Sequence, residues 1–289
     1  VLKDYLRVAK PWIVFANMIS ASGGFFLAAQ GRVDPALFLA VLIGVSAVVA
    51  SGCVCNNYID RDIDTLMART CTRPLARKSI STRNSLLYAL ILGIVGVAIL
   101  WLGTNTLTLA IVLAGFVVYV GVYSLVMKRT SAYSTIVGSL AGAAPPLAAY
   151  CSVTNKLDLG GLIVLAIFSL WQIPHSYAIT IYRYNDYAAA SLPVMPVKHG
   201  VSATRKDMVV HIIAFMLAAQ LLTLCGYSGY FYSGAVAILS LYWLLMARLG
   251  PKDQTELLWA KKLYIISILT IVVLSVMMSI DYTTPLATN

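Results

Sequence analysis

The stretch ALFLAVLIGVSAVVASGCVCNNYIDRDID, residues 36–64, opens as an apolar run and closes in acids. An apolar run of about 20 residues is long enough to cross a bilayer as a helix. At its end Asn56, Asp60 and Asp64 follow one another four residues apart. Four helical residues advance about 400°, so successive side chains step by only about 40° and share one face. Carboxylates and a carboxamide are oxygen ligands suited to a hard divalent cation. Acids at a membrane boundary are costly unless used, which makes this face a candidate functional site. Asp62 falls off the shared face and reads as a solvated helix end.

The rest of the chain repeats the apolar half of that pattern. Hydrophobic residues make up 60% and charged residues 11%, where soluble domains carry about 25% charged. Mean hydropathy is +0.84. Nine runs have spanning length, at roughly 12–30, 36–56, 84–102, 106–126, 133–152, 159–182, 208–226, 230–248 and 263–280. The first is too long for a cleavable signal peptide and no small-residue cleavage site follows it. The expected fold is all-α, a polytopic bundle of nine transmembrane helices forming a single domain over 1–289.

A net charge of +10 invites a nucleic-acid reading, but its distribution argues otherwise. With the N-terminus cytoplasmic, alternate loops fall inside. They hold Lys3, Arg7 and Lys10; Arg61 through Arg83; Lys128 and Arg129; Arg183, Lys198, Arg205 and Lys206; and Arg248, Lys252, Lys261 and Lys262. Of 21 Lys and Arg, only Arg32 and Lys156 fall outside. That is the positive-inside rule, so the basic surplus reports topology. The five cysteines are scattered without C-x-x-C or zinc spacing, and read as small apolar fillers.

Two inside connections, about 57–83 and about 183–207, are long, and long ordered connections are usually functional. The first runs Asn56-Asn57-Tyr58-Ile59-Asp60-Arg61-Asp62-Ile63-Asp64, then Arg69-Thr70 and Arg73-Pro74-Leu75. Mg²⁺ binds through a few carboxylates plus substrate phosphates, and arginines grip phosphate oxygens bidentately. The expected ligand is therefore a diphosphate whose apolar tail enters the bundle. Gly138 and Gly142 form a G-x-x-x-G pair suited to close helix packing, and Pro145-Pro146 is expected to bend or break the fifth span.

The residues from Asn56 to Asp64, with Arg69-Thr70 and Arg73-Pro74-Leu75, resemble the first aspartate-rich motif of the UbiA-type intramembrane prenyltransferases. Trp171-Gln172-Ile173-Pro174-His175-Ser176-Tyr177, Tyr182-Arg183-Tyr184-Asn185-Asp186-Tyr187 and Pro193-Val194-Met195-Pro196 narrow the resemblance to the branch that farnesylates haem B. Lys10-Pro11 with Asn17, and Tyr119 through Tyr123 to Lys128-Arg129, fit it as well. The resemblance implies that farnesyl diphosphate and haem B combine with water at a porphyrin vinyl group, giving haem O and diphosphate. It implies Asp60, Asp64, Asp186 and His175 as catalytic residues, with Mg²⁺ on Asn56, Asp60, Asp64 and Asp186. Asn57, Arg69, Arg73, Lys128, Arg129, Tyr182, Arg183, Asn185 and Lys198 are the expected substrate contacts. Where the wider superfamily offers a second acid four residues on, position 190 is Ala, so Asp186 assists a site built mainly by Asp60 and Asp64.

His175 lies eleven residues before Asp186, about 20° away in helical direction and about 16 Å along the axis. It is expected to face the same cavity, as a haem-iron ligand, a general base or a hydrogen-bonded interior histidine. Tyr58, Tyr119, Tyr123, Tyr182 and Trp171 could stabilise an allylic cation or stack on porphyrin, or serve as packing. A bacterial inner membrane with the site toward the cytoplasm, and hand-over of product to terminal oxidase assembly, complete the expectation. The alternatives are a quinone-precursor acceptor on the same fold, or a haem carrier or transporter without catalysis. Transporters place their polar groups near the midplane, whereas these acids cluster at one face.

Overall fold

The computed structural model describes residues 2–251 and 255–283; Lys252, one of the loop cations counted above, lies outside them. A short helix α1 (Leu2–Val8) precedes α2 (Pro11–Ala29) and α3 (Pro35–Ile59). A 3₁₀ turn (Ile63–Leu66) leads to α4 (Thr82–Gly103) and α5 (Thr106–Val117). The latter continues as a π-helix (Val118–Met127) and a last turn, α6 (Lys128–Thr130). Then come α7 (Ser134–Thr154), α8 (Leu159–Tyr182), the short α9 (Tyr184–Ala189), α10 (Met195–Leu224), α11 (Tyr230–Leu249) and α12 (Glu256–Ile280). Among the described residues nine helices are long and apolar enough to span a membrane, with α5, the π-helix and α6 forming one of them.

Local chemistry sets the boundaries. Pro11 and Pro35 open α2 and α3, where a missing N–H costs nothing. Asp34, Ser81, Asn105, Asp158 and Thr255 cap the helices that follow them with side-chain oxygens. Helix α3 packs along α4, α2 along α7, and α8 against α7, α10 and α12. Apolar burial gives no drive between helices in lipid, so close approach falls to small residues. A Cβ on Gly96 would sit 2.8 Å from the Gly44 carbonyl oxygen, and one on Gly24 would run into the Pro146 carbonyl. The heaviest core, with Trp243, Trp259, Tyr177, Tyr232 and Phe215, joins α8 to α10–α12. A second core of Val41, Val45, Val48, Leu100 and Val112 holds α3, α4 and α5.

Three expectations are corrected. Helix α7 runs on through Pro145 and Pro146, so the pair does not break it. Gly138 and Gly142 do not make a helix–helix seam: Gly138 faces the Tyr123 ring and Gly142 the Gln172 amide. The seventh span starts at Met195 rather than near 208. Two helical pieces meet in it, a turn over 195–199 and the long helix from Val201, separated at Gly200 by non-helical backbone (φ 83°, ψ 162°), a conformation that suits glycine.

Candidate functional site

A cavity of about 370 Å³ opens among α2, α3, α5, the π-helix, α7 and α8 at the end of the bundle that carries the two long connections. That volume is in the range of small-molecule sites. Among the described residues none beyond Val194 lines it. Its mouth is basic and acidic, with Lys10, Asn56, Asp64, Arg69, Arg73 and Lys128; its inner wall is apolar, with Val45, Val48, Val49, Val112 and Phe116.

The acids are held tightly. Helix α3 ends at Ile59, so Asp60 is its last cap and Asp64 lies in the 3₁₀ turn, not on a continuing helix. The shared face survives because the Asp64 N–H still donates to the Asp60 carbonyl at 2.8 Å. The Asp60 side chain is fully buried just behind the cavity wall. Its Oδ2 accepts from Asn56 Nδ2 at 2.9 Å and from the Lys128 ammonium, while Oδ1 is buried without a partner. Arg73 donates to both Asp64 oxygens at 2.9 Å, and Thr70 Oγ1 to the Asp64 carbonyl at 3.0 Å. Lys10 Nζ donates to Asn56 Oδ1 at 2.5 Å. Removal of the Lys10 ammonium from water, with Arg73 and Lys128 nearby, pulls its pKa down to about 8 against the opposing pull of Cys53 and Asp60.

The π-helix explains how Lys128 reaches Asp60. Its widened turns bond five residues apart: Ser124 Oγ to the Tyr119 carbonyl at 2.8 Å, and the Lys128 N–H to the Tyr123 carbonyl. On α3 the facing positions Gly52, Asn56 and Asp60 are four apart. Tyr119 packs on Gly52, Ser124 accepts from Asn56 Nδ2 at 3.1 Å, and Lys128 pairs with Asp60. Nine residues of the π-helical segment thus keep step with eight of α-helix over three rungs. The Tyr119 and Tyr123 rings stack at 6.0 Å along the cavity wall.

The second connection meets the first. Asp186 Oδ1 accepts the Arg69 N–H at 3.4 Å, and Tyr187 and Val194 line the cavity. Asp60, Asp64 and Asp186 do not converge on a point: among the described residues no three His, Cys, Asp or Glu side chains form a metal cage. A cation sharing substrate phosphates needs fewer protein ligands. The unpartnered, buried Asp60 Oδ1 beside Asn56 and Asp64 is a donor set that fits Mg²⁺ on those terms.

Several expected contacts lie elsewhere. Asn57 turns from the cavity to donate to the Val8 and Cys53 carbonyls at 2.7 and 3.1 Å. Arg129 grips Asp62 at 2.6 and 2.8 Å and the Ile59 carbonyl at 2.7 Å. Asp62 is exposed as expected, but its Arg129 hydrogen bonds hold it at a pKa of about 2. Arg183 lies over Tyr182 at 4.5 Å and Arg61 over Tyr58 at 4.3 Å. Asn185 and Lys198 are exposed, and none of these residues lines the cavity.

His175 does not line the cavity as expected, but it matches the hydrogen-bonded interior histidine among the readings left open for it. Helix α8 stops at Tyr182 and Arg183 breaks the helical phase, so extrapolating from Asp186 fails. His175 Nδ1 instead meets Ser267 Oγ of α12 at 2.7 Å, its ring stacked on Trp171 at 4.5 Å. The cavity face of α8 is Gln172, Ser176, Ile179 and Thr180. Lys10, Ser124 and Gln172 were missed as site residues. Lys10 is brought in by the chain turning at α2, and Ser124 by the π-helix, neither of which leaves a periodic signal. Gln172, a carboxamide inside an apolar run, did leave one.

A model of the UbiA prenyltransferase family matches residues 17–277. The sequence is 56% identical to a protoheme IX farnesyltransferase of Sodalis glossinidius (strain morsitans), across 100% of this chain and 97% of that protein. Identity is also 56% to the protein of the same name from Serratia proteamaculans (strain 568), across 97% and 95%. Among solved structures, a UbiA homolog from Archaeoglobus fulgidus bound to GPP and Mg²⁺ superposes with TM-score 0.72 at 18% identity, over 96% of this chain and 100% of that one. A digeranylgeranylglyceryl phosphate synthase superposes with TM-score 0.77 at 18% identity, over 96% and 98%. At such identity the structures establish the fold, while the sequence relatives carry the family.

Proposed function

Because the chain belongs to the UbiA prenyltransferase family, we propose that it joins the farnesyl group of farnesyl diphosphate to a vinyl group of haem B with addition of water. The products are haem O and diphosphate. The observation that carries this reading is the cavity's division into a cationic mouth with paired acids and an apolar interior. Full-length identity to protoheme IX farnesyltransferases supports the choice of acceptor.

In this reading Lys10, Arg69, Arg73 and Lys128 hold the diphosphate at the mouth, and the valine wall takes the farnesyl chain. Asn56, Asp60 and Asp64 would hold Mg²⁺, with Asp186 at their edge. When bound, Mg²⁺ neutralises charge building on the leaving diphosphate. Three of these cationic side chains, Lys10, Arg73 and Lys128, are fixed before reaction by Asn56, Asp64 and Asp60, so they stabilise that charge with little reorganisation. The Tyr119 and Tyr123 faces flank the allylic carbon as it becomes cationic. His175, facing α12, has no task within the cavity. The protein sits in a bacterial inner membrane with this mouth cytoplasmic, acts as one domain, and passes its product to terminal oxidase assembly.

The test is purified protein in nanodiscs given haem B, farnesyl diphosphate and Mg²⁺, with extracted haems read by mass spectrometry. A mass gain of farnesyl plus water is expected, lost with EDTA and restored by Mg²⁺. Asp60→Ala and Asp64→Ala are expected to lower it by a factor of about 100 or more. Adduct with an aromatic acid and none with haem overturns the acceptor assignment.

A further inference from the structure

Two polar side chains in the cavity have no task in holding a diphosphate. Gln172 and Ser176 lie one turn apart on the cavity face of α8, and among the described residues neither side chain makes a hydrogen bond. Residues four apart on a helix are neighbours, so the carboxamide and hydroxyl act on one point. They stand one to two turns inward of Thr180, beyond the diphosphate mouth.

The wall across from them is shaped to match. Gly142 of α7 leaves space for the Gln172 amide, and a Cβ there would collide with Gln172 Oε1. Pro145 and Pro146 follow, and neither has an N–H to give the carbonyls of Ala141 and Gly142, four residues earlier. Ala141 and Gly142 both line the cavity. A carboxamide, a hydroxyl and underused carbonyls in an apolar interior are costly unless something polar joins them. A water molecule needs two to four such partners, and about that number is present.

We propose that Gln172, with Ser176, holds the water that completes the transfer, an inference resting on the vinyl acceptor named under the proposed function. The C1–O bond of the prenyl diphosphate breaks, its electron pair leaving with the diphosphate. The vinyl electron pair bonds C1 to the terminal vinyl carbon and leaves the carbon beside the ring positive. The oxygen of the held water bonds that carbon, and its proton passes to the released diphosphate. Without the water in place, the same cation sheds a proton from carbon and gives an adduct lighter by one water.

Single-turnover reactions analysed by mass spectrometry measure the ratio of hydrated to dehydrated adduct. Gln172→Leu and Gly142→Ala, which dislodges Gln172, are expected to lower that ratio about tenfold or more. Ser176→Ala lowers it less, and Gln172→Glu keeps it near wild type. The KM for prenyl diphosphate stays unchanged in all four, which a collapsed cavity would not allow. Hydrated adduct alone from Gln172→Leu, at whatever rate, overturns the proposal. So does loss of all adduct in Gln172→Leu with a wild-type ratio in Ser176→Ala and Gly142→Ala. If the wild-type protein forms no haem adduct, the acceptor assignment falls instead, and this inference with it.

Discussion

At the scale of single residues the decisive fact is that the buried carboxylate of Asp60 has one cation, Lys128, and one neutral partner, Asn56. Removing one member of a buried pair strands the other charge at a cost of about 3–5 kcal/mol. Lys128→Met should therefore lower stability by about that much in denaturant titrations, and adding Asp60→Asn should recover most of it. Lys10 gives a pH signature. Its pKa falls from the ordinary lysine value to about 8 on folding, so between about pH 8 and the ordinary lysine pKa the unfolded chain binds more protons. Stability of the metal-free, ligand-free protein should rise with pH across that window, and Lys10→Met should flatten the rise. That Asn56, Asp60, Asp64 and Arg73 lie together was legible in the sequence from their types and spacing, while Lys128 came only with the family resemblance. Asn57 and Arg129 were misread because spacing cannot tell a residue facing the cavity from one tying down the backbone beside it.

At the scale of elements the length of the apolar runs located nine spans, but reading faces along them assumes one constant turn. The π-helix violates that assumption, and with it the alignment of Tyr119, Ser124 and Lys128 on α3. Gly121 sits between the first two rungs, and nothing lies within 4 Å of where its Cβ would be. Deleting it should let the segment tighten toward an ordinary α-helix, with the bundle still assembling. The three rungs would then stand four apart, as on α3, so Lys128 stays opposite Asp60; monodisperse protein that still transfers prenyl is the expected outcome of chromatography and assay, and loss of transfer would show that the wide turns themselves are needed. The early start of α10 was hidden for a different reason. The turns after Gly200, from Val201 to Asp207, are too polar to count as membrane span, yet they are helical above it.

At the scale of the whole molecule the loop charges argue an orientation that can be measured with a native residue. Cys71 is exposed in the first long connection, while the other four cysteines are buried or half-buried. A membrane-impermeant maleimide should label Cys71 in inside-out vesicles and not in intact cells; the reverse pattern would invert the topology. Hydropathy made the bundle legible at this scale, but not the meeting of the two long connections, which depends on the contact of Arg69 with Asp186 across 117 residues.

Among the described residues the cavity draws its lining from the chain up to Val194 and from none after it. The bulkiest packing, around Trp243, Trp259 and Tyr232, belongs to the helices that follow. Robustness and turnover are therefore encoded in different stretches of the same polypeptide. An engineer could harden the C-terminal third against heat or detergent by repacking α11, whose main neighbours are α10 and α12, and leave the rate of the reaction as it was.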